Sequence, residues 1–232
     1  MPLSSSLDVF GWFAKDAETY KKVGDVVLDD DASDMPLRRL IGSPDLDALL
    51  LSDTEYVAYS KAAEQIEKHF DDEREFVKLP VNMDDAYWGF RDSQAYEAWE
   101  AHGGWIEEKK PDLGPGVKER FAYGKEKTRA EYDAAMVKRT GVTEQLEELI
   151  GDDGLLVFPT MPSCAPLKTE AEETLQAYRE QALLLLCLSG CSGLPQITMP
   201  MIEVYGAPMG LSLMGPRGSD KRLIDIAVGI LG

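Results

Sequence analysis

The chain is poor in cysteine, histidine and positive charge, and each shortage excludes something. Only Cys164, Cys187 and Cys191 occur in 232 residues. An odd number with no even framework argues against a disulfide scaffold and for a reducing compartment. Cys187 and Cys191 are four apart and would share a helix face, but His69 and His102 lie far from them in sequence, so no metal-ligand spacing exists and no cofactor is implied. Lys and Arg number 24 against 42 Asp and Glu, a formal net charge of -18. Nucleic-acid backbones and anionic membranes are poor partners for such a surface, because like charges repel. The longest uninterrupted apolar run is Ala182–Leu188, far short of the roughly 20 residues that cross a bilayer. Residues 1–8 carry neither a basic nor an apolar leader segment. These features lead us to expect a soluble protein without membrane insertion, cytoplasmic or else stromal or organelle-associated.

What is present reads as a globular α/β chain. Hydrophobic residues make up 44% and charged residues 28%, enough apolar material for a core in a chain of this length. Helical spacing predicts a helix over 17–28 through Tyr20, Val23 and Val27, with Ser6 or Asp8 as a possible cap of a short segment before it. The run 46–51, bounded by Pro44 and Ser52, reads as a strand; 55–70 reads as a helix and 75–79 as a second strand, together a βαβ unit. Helices are expected over 92–106, 117–124 and 125–150, the last open to interruption at Gly141, with a Pro/Gly loop over 110–116. Leu155–Phe158 is a buried central strand, 174–188 a buried helix ended by Gly190 and Gly193, and 196–199 with 209–214 a hairpin. Ser219 is placed to cap a final helix that turns Leu223, Ile224, Ala227 and Ile230 inward.

Several segments, in order, resemble one family. Ser6-Leu7-Asp8-Val9-Phe10-Gly11-Trp12-Phe13-Ala14-Lys15-Asp16, then Leu155–Phe158 followed by Pro159-Thr160-Met161-Pro162, then Ser192-Gly193-Leu194-Pro195 with Gly218-Ser219-Asp220, are similar to stretches of the amidase signature family. Val9 and Lys15 are mild departures. His102–Ile106 and Lys110–Val117 bring the chain nearest to plant-type indole-3-acetamide hydrolases and to the amidase-like domain of a chloroplast-envelope import receptor. The resemblance implies an α/β fold, part of a mixed β-sheet core flanked by helices, with residues 1–232 forming a single incomplete domain whose N-terminal catalytic part is absent.

The resemblance also implies the chemistry: acyl transfer from a small carboxamide to a serine and then to water. A serine needs a neighbouring proton acceptor and the oxyanion needs backbone donors. The family's relay of two serines and a lysine precedes the segment matched by residues 6–16, so no catalytic residue is assigned. Ser4-Ser5-Ser6 lacks the glycines of an oxyanion loop, and Ser189 and Ser192 do not form a Gly-x-Ser-x-Gly elbow. Thr160, Met161 and Pro162 follow a buried strand, where α/β sheets commonly present ligand-facing loops, and the resemblance places them near substrate; a rigid turn is an equally simple alternative. Arg120 matches a position where some relatives grip a substrate carboxylate, though a surface or helix-capping arginine is the plainer explanation. Trp12, Trp88, Trp99 and Trp105 read as core or wall. The expected partner is the N-terminal amidase half, with a small amide bound only in its presence. The alternative is a non-catalytic scaffold or docking module.

Overall fold

The computed structural model describes residues 2–114 and 116–232. Met1 and Pro115 lie outside them, and with them the expectations that fell on the start of the chain and on that one loop proline. Thirteen elements follow in order: α1 (Ala17–Val27), β1 (Arg39–Gly42), α2 (Pro44–Asp47), α3 (Asp53–Glu67), β2 (Glu75–Phe76), α4 (Met83–Lys109), α5 (Val117–Glu126), α6 (Arg129–Ile150), β3 (Gly154–Pro159), α7 (Glu172–Ser192), β4 (Gln196–Val204), β5 (Ala207–Met214) and α8 (Asp220–Leu231). The strands form one mixed sheet in the order β2-β1-β3-β5-β4. β1 pairs parallel with β2 and β3, and β5 pairs antiparallel with β3 and β4.

The centre of the sheet is β3, as its apolar run predicts. Leu155 and Val157 face a core shared with α3 and α8, whereas Leu156 and Phe158 face a second core shared with α6 and α7. All four are at most 1% exposed, and full burial of such side chains is worth roughly 1.5–3 kcal/mol each. Helix α6 shows why it lies where it does: Ala135, Arg139, Val142, Leu146 and Ile150 are its buried residues, a spacing that keeps one face inward. Gly141 does not interrupt it. Thr128 and Glu131 close its N-terminus as a capping box, so the single helix expected over 125–150 is split from α5 just before Thr128.

Four expectations are overturned or cut back. Residues 46–51 are not a strand; Ser43-Pro44 starts the short helix α2 instead, and the strand of the βαβ unit is β1. Leu40 and Ile41 alone supply its apolar signal, while Arg39 caps the far end of α6 by donating to the Leu149 and Ile150 carbonyls at 3.0 and 2.9 Å. The expected strand over 75–79 shortens to Glu75–Phe76. Gly190 does not end α7: a Cβ there would lie 2.6 Å from the Phe90 ring, so this glycine permits α7 to approach α4, and the helix ends at Gly193 with φ 64. Ser219 holds the N-cap position of α8 without a side-chain hydrogen bond; the Asp31 carboxylate accepts from the Lys221 and Arg222 backbone N–H groups at 2.8 and 2.9 Å in its place.

The hairpin β4–β5 turns at Tyr205-Gly206, both at positive φ, the two-residue geometry that matches strand twist. Its inner face, including Ile197, Met199, Leu211 and Leu213, joins the α3 and α8 core. Its other face carries Gln196, Thr198, Pro200, Gly210 and Ser212. Pro200 and an irregular register between Met199 and Ile202 interrupt pairing along this outer strand, features that blunt a sheet edge.

Candidate functional site

The Thr160–Pro162 loop leaves the end of β3 and is fastened at its first and last residues. The Thr160 N–H donates to the Gly210 carbonyl at 3.0 Å, and the Pro162 carbonyl accepts from the Leu51 N–H at 3.0 Å. Ser163, the next residue, donates through Oγ to Glu55 at 2.8 Å, while its carbonyl accepts from the Tyr178 hydroxyl at 3.3 Å. Glu55 is almost wholly buried and also accepts from the Ser52 hydroxyl. Burial acts to raise its carboxyl, but the hydrogen bonds from Ser52, Ser163 and Tyr205 outweigh it and hold Glu55 below the usual carboxylate range. Glu55 is therefore an anion that fixes the loop and a weak base.

Beside the loop, polar groups converge on the outer face of the hairpin. The fully buried Ser212 Oγ lies 2.7 Å from Thr160 Oγ1 and 3.2 Å from Thr198 Oγ1, and accepts from Gln196 Nε2 at 2.8 Å. Gly210 leaves room for this arrangement: a Cβ there would sit 2.6 Å from Thr198 and 2.7 Å from Thr160 Oγ1. Thr160 and Met161 are half-buried and Pro162 is buried. Arg120 is elsewhere, exposed on α5, whose main packing partner is α4. The loop residues thus form one site with the hydroxyl cluster, and Arg120 is not brought to it.

Ser4 and Ser6 serve another purpose. Ser4 Oγ donates to Glu97 at 2.7 Å and the Ser6 N–H donates to the same oxygen at 2.9 Å. Tyr132 donates to the other Glu97 oxygen at 2.8 Å. Arg139 donates to Ser6 Oγ at 2.6 Å, to the Ser6 carbonyl at 3.2 Å and to Ser93 Oγ at 3.3 Å. Burial acts to raise Glu97, and the hydrogen bonds from Ser4, Ser6 and Tyr132 more than reverse this, leaving it lowered. Among the described residues no serine hydroxyl bonds to a lysine or a histidine. His102 meets the Pro2 carbonyl at 2.9 Å.

Cys187 and Cys191 are equally unsuited to attack. Burial pushes the Cys191 thiol up to about 11 and the Cys187 thiol higher still, and a thiol is a poor nucleophile. Cys164 is half-buried and free. No group of three or more His, Cys, Asp or Glu among the described residues is arranged to hold a metal ion. Trp88 and Trp105 are exposed; Trp12 stacks on Tyr20 with ring centroids 4.5 Å apart.

Sequence reasoning missed Glu55, Ser163, Ser212, Glu97 and Arg139. The available signal was a polar residue in an apolar setting, as in Leu211-Ser212-Leu213 or at the inward position of Arg139 on α6.

Comparison with known proteins bears on both the fold and the loop. A family model described as Amidase matches residues 105–224, slightly more than half the chain and including the Thr160–Pro162 loop. Outer envelope protein 64, chloroplastic, of Arabidopsis thaliana is 30% identical over 97% of this chain and 42% of its own length. Amidase 1 of the same plant is 28% identical over 97% of this chain and 60% of its own length. The chain therefore spans about half the length of the curated relatives it matches. A crystal structure of an amidase superposes with a TM-score of 0.84 at 21% identity, covering 100% of this chain and 55% of that one. Family match and fold agree: this chain belongs to the amidase signature family.

Proposed function

We propose that this chain is the C-terminal portion of an amidase-type hydrolase. It supplies the sheet core and one wall of a substrate pocket, and it does not turn over substrate alone. The observation that carries this reading is chemical. Every serine hydroxyl with a charged side-chain partner among the described residues bonds to Glu55, Glu97 or Arg139, and none has a proton acceptor suited to activating it. The pocket wall is Thr160, Met161 and Pro162, with Ser212 orienting the Thr160 hydroxyl and Glu55 immobilising the loop behind it. Arg120 is proposed only as a more remote contact to a substrate carboxylate. The substrate class is a small carboxamide, indole-3-acetamide being the first to try, and the partner is an N-terminal amidase half. The setting is cytoplasmic or at an organelle surface.

Co-expression tests this. The chain should be produced with the N-terminal half of Arabidopsis Amidase 1 and assayed on indole-3-acetamide. Hydrolysis that needs both pieces, and falls when Thr160 is changed to Val, supports the reading. A stable complex of both halves without hydrolysis argues for the other reading.

That second reading is a non-catalytic scaffold or docking module, and one observation favours it. Apolar runs left by a lost half should be exposed, but Leu155–Phe158 is wholly covered by this chain's own helices, and within Ala182–Leu188 only Leu186 reaches 38% exposure. The apolarity of these runs is accounted for by internal packing.

A further inference from the structure

The segment Asp8–Lys15, just ahead of α1, is at odds with its setting. Val9, Phe10, Trp12 and Phe13 are all large and apolar. Trp12 packs inward against Tyr20, but Val9 is 85% exposed, Phe10 is 69% exposed and Phe13 is fully exposed. A lone exposed apolar side chain is ordinary, whereas three so close together form a patch of the kind that marks an interface.

The backbone is equally unpartnered. Residues 8–14 belong to no helix or strand. Among the described residues, no N–H of Val9–Lys15 donates to a backbone carbonyl, and no carbonyl of that stretch accepts from a backbone N–H. Both ends are nevertheless held. Glu97 and Arg139 grip Ser4 and Ser6 on one side, and Asp16 caps α1 on the other. A stretch fixed at both ends, with free donors and acceptors, is open to pairing with another chain.

Behind the segment lies a cavity of about 550 Å³, with Phe10 and Trp12 on one side and Gly193, Leu194 and Gln196 on the other. Arg139 and Arg217 also line it. Arg217 pairs with Glu147 at 2.8 Å, while Arg139 bonds to Ser6 and Ser93 and has no carboxylate partner among the described residues. Aromatic side chains with arginines among them match the composition of protein interfaces, where both are enriched.

Gln196 links this cavity to the pocket wall. It lines the cavity, its Nε2 donates to Ser212 Oγ at 2.8 Å, and Ser212 Oγ lies 2.7 Å from Thr160 Oγ1. A body seated on the segment and the cavity is thus one side chain away from the hydroxyl cluster. That position favours one occupant. A half that brings a nucleophile to the Thr160 loop must lie against the surface beside it, whereas a second copy of this chain has no such requirement. In the amidase of known structure, this fold accounts for 55% of the chain, so the same framework is carried there with further polypeptide.

We propose that the Asp8–Lys15 segment and the cavity behind it are the docking surface for the N-terminal amidase half. Phe10 and Phe13 are buried in the contact, and an apolar side chain of the partner enters the cavity. The inference rests on the reading of this chain as the C-terminal portion of an amidase, and adds the surface on which the other portion sits.

The test is co-expression of the chain with a tagged N-terminal half of Arabidopsis Amidase 1, followed by capture on the tag and dissociation on dilution. The double change Phe10→Ser with Phe13→Ser should weaken the complex at least 10-fold, because buried aromatic anchors carry a large share of interface affinity. Both side chains are exposed in the chain alone, so its urea midpoint should barely move. Val137→Ser removes a 72% exposed valine from α6 and should leave the complex intact. Amide hydrogen exchange across residues 9–15 should slow about 10-fold or more in the complex. A complex that ignores the Phe10 and Phe13 changes, or is weakened equally by Val137→Ser, or leaves residues 9–15 unprotected, overturns the docking surface while the amidase reading stands. No complex between the parent chain and that half overturns both the surface and the partner. A homodimer of the chain alone that the double change disrupts overturns the choice of occupant.

Discussion

Replacing Arg139 with methionine keeps most of the volume and the aliphatic stem but removes the guanidinium that holds Ser6. Three hydrogen bonds to oxygen disappear, those to Ser6 Oγ, the Ser6 carbonyl and Ser93 Oγ, together with a weak one to the Met136 sulfur. Bonds involving a charged group contribute about 1.5–3 kcal/mol each in isolation, but they share one cation and do not add. Ser93 also retains its bonds to the Gly89 and Phe90 carbonyls. One gain offsets the loss, because the buried Arg139 Nε has no partner and its removal recovers about 1–3 kcal/mol. Glu97 keeps Ser4, the Ser6 N–H and Tyr132. The net cost should be about 2–3 kcal/mol, and its structural effect should be local. Urea unfolding gives the first quantity and amide hydrogen exchange the second. The midpoint should fall, and the amides of Leu7 and Asp8, both bonded to the Ser4 carbonyl, should lose protection before those of β3. A variant within about 0.5 kcal/mol of the parent, with unchanged exchange at Leu7 and Asp8, would refute the view that Arg139 and Glu97 clamp the segment around Ser4 and Ser6.

Glu97→Gln tests the same clamp by pH. The folded carboxyl is lowered, so it stabilises the fold fully above its unfolded value, about 4.3, and that contribution is lost as pH falls through the folded value. The variant should be less stable at pH 7 and show a flatter acid limb than the parent in unfolding curves taken between pH 3 and 7. Gly210→Ala should force Thr160 and Thr198 apart and cost about 1–3 kcal/mol, seen as a lower urea midpoint. Iodoacetamide should modify Cys164 in the native chain, with Cys187 and Cys191 reacting only after unfolding; peptide mass mapping reads this directly.

Where local pattern and packing agreed, the sequence was a good guide. Leu155–Phe158 is apolar on both faces because helices cover both faces, and Tyr205-Gly206 marks the hairpin because its geometry needs two positive φ angles. Reading failed where tertiary contacts decide. Leu46 and Leu50 are both buried, yet they enter different cores from a helical turn, a division that a short apolar run does not reveal. Gly190 looks like a helix stop until Phe90 is seen against it. At the candidate site the loop was legible from Pro-Thr-x-Pro. Its support was not, since Glu55 is one acidic residue among 42 Asp and Glu and is distinguished only by the serines that reach it.

The central claim is that this chain contains the amidase scaffold and pocket wall without a working nucleophile. Its most direct test is steady-state hydrolysis of indole-3-acetamide by the purified chain alone, with Ser4→Ala and Ser5→Ala measured in parallel. The account predicts no turnover above buffer in any of the three. Turnover by the parent chain that disappears in either serine variant would contradict it.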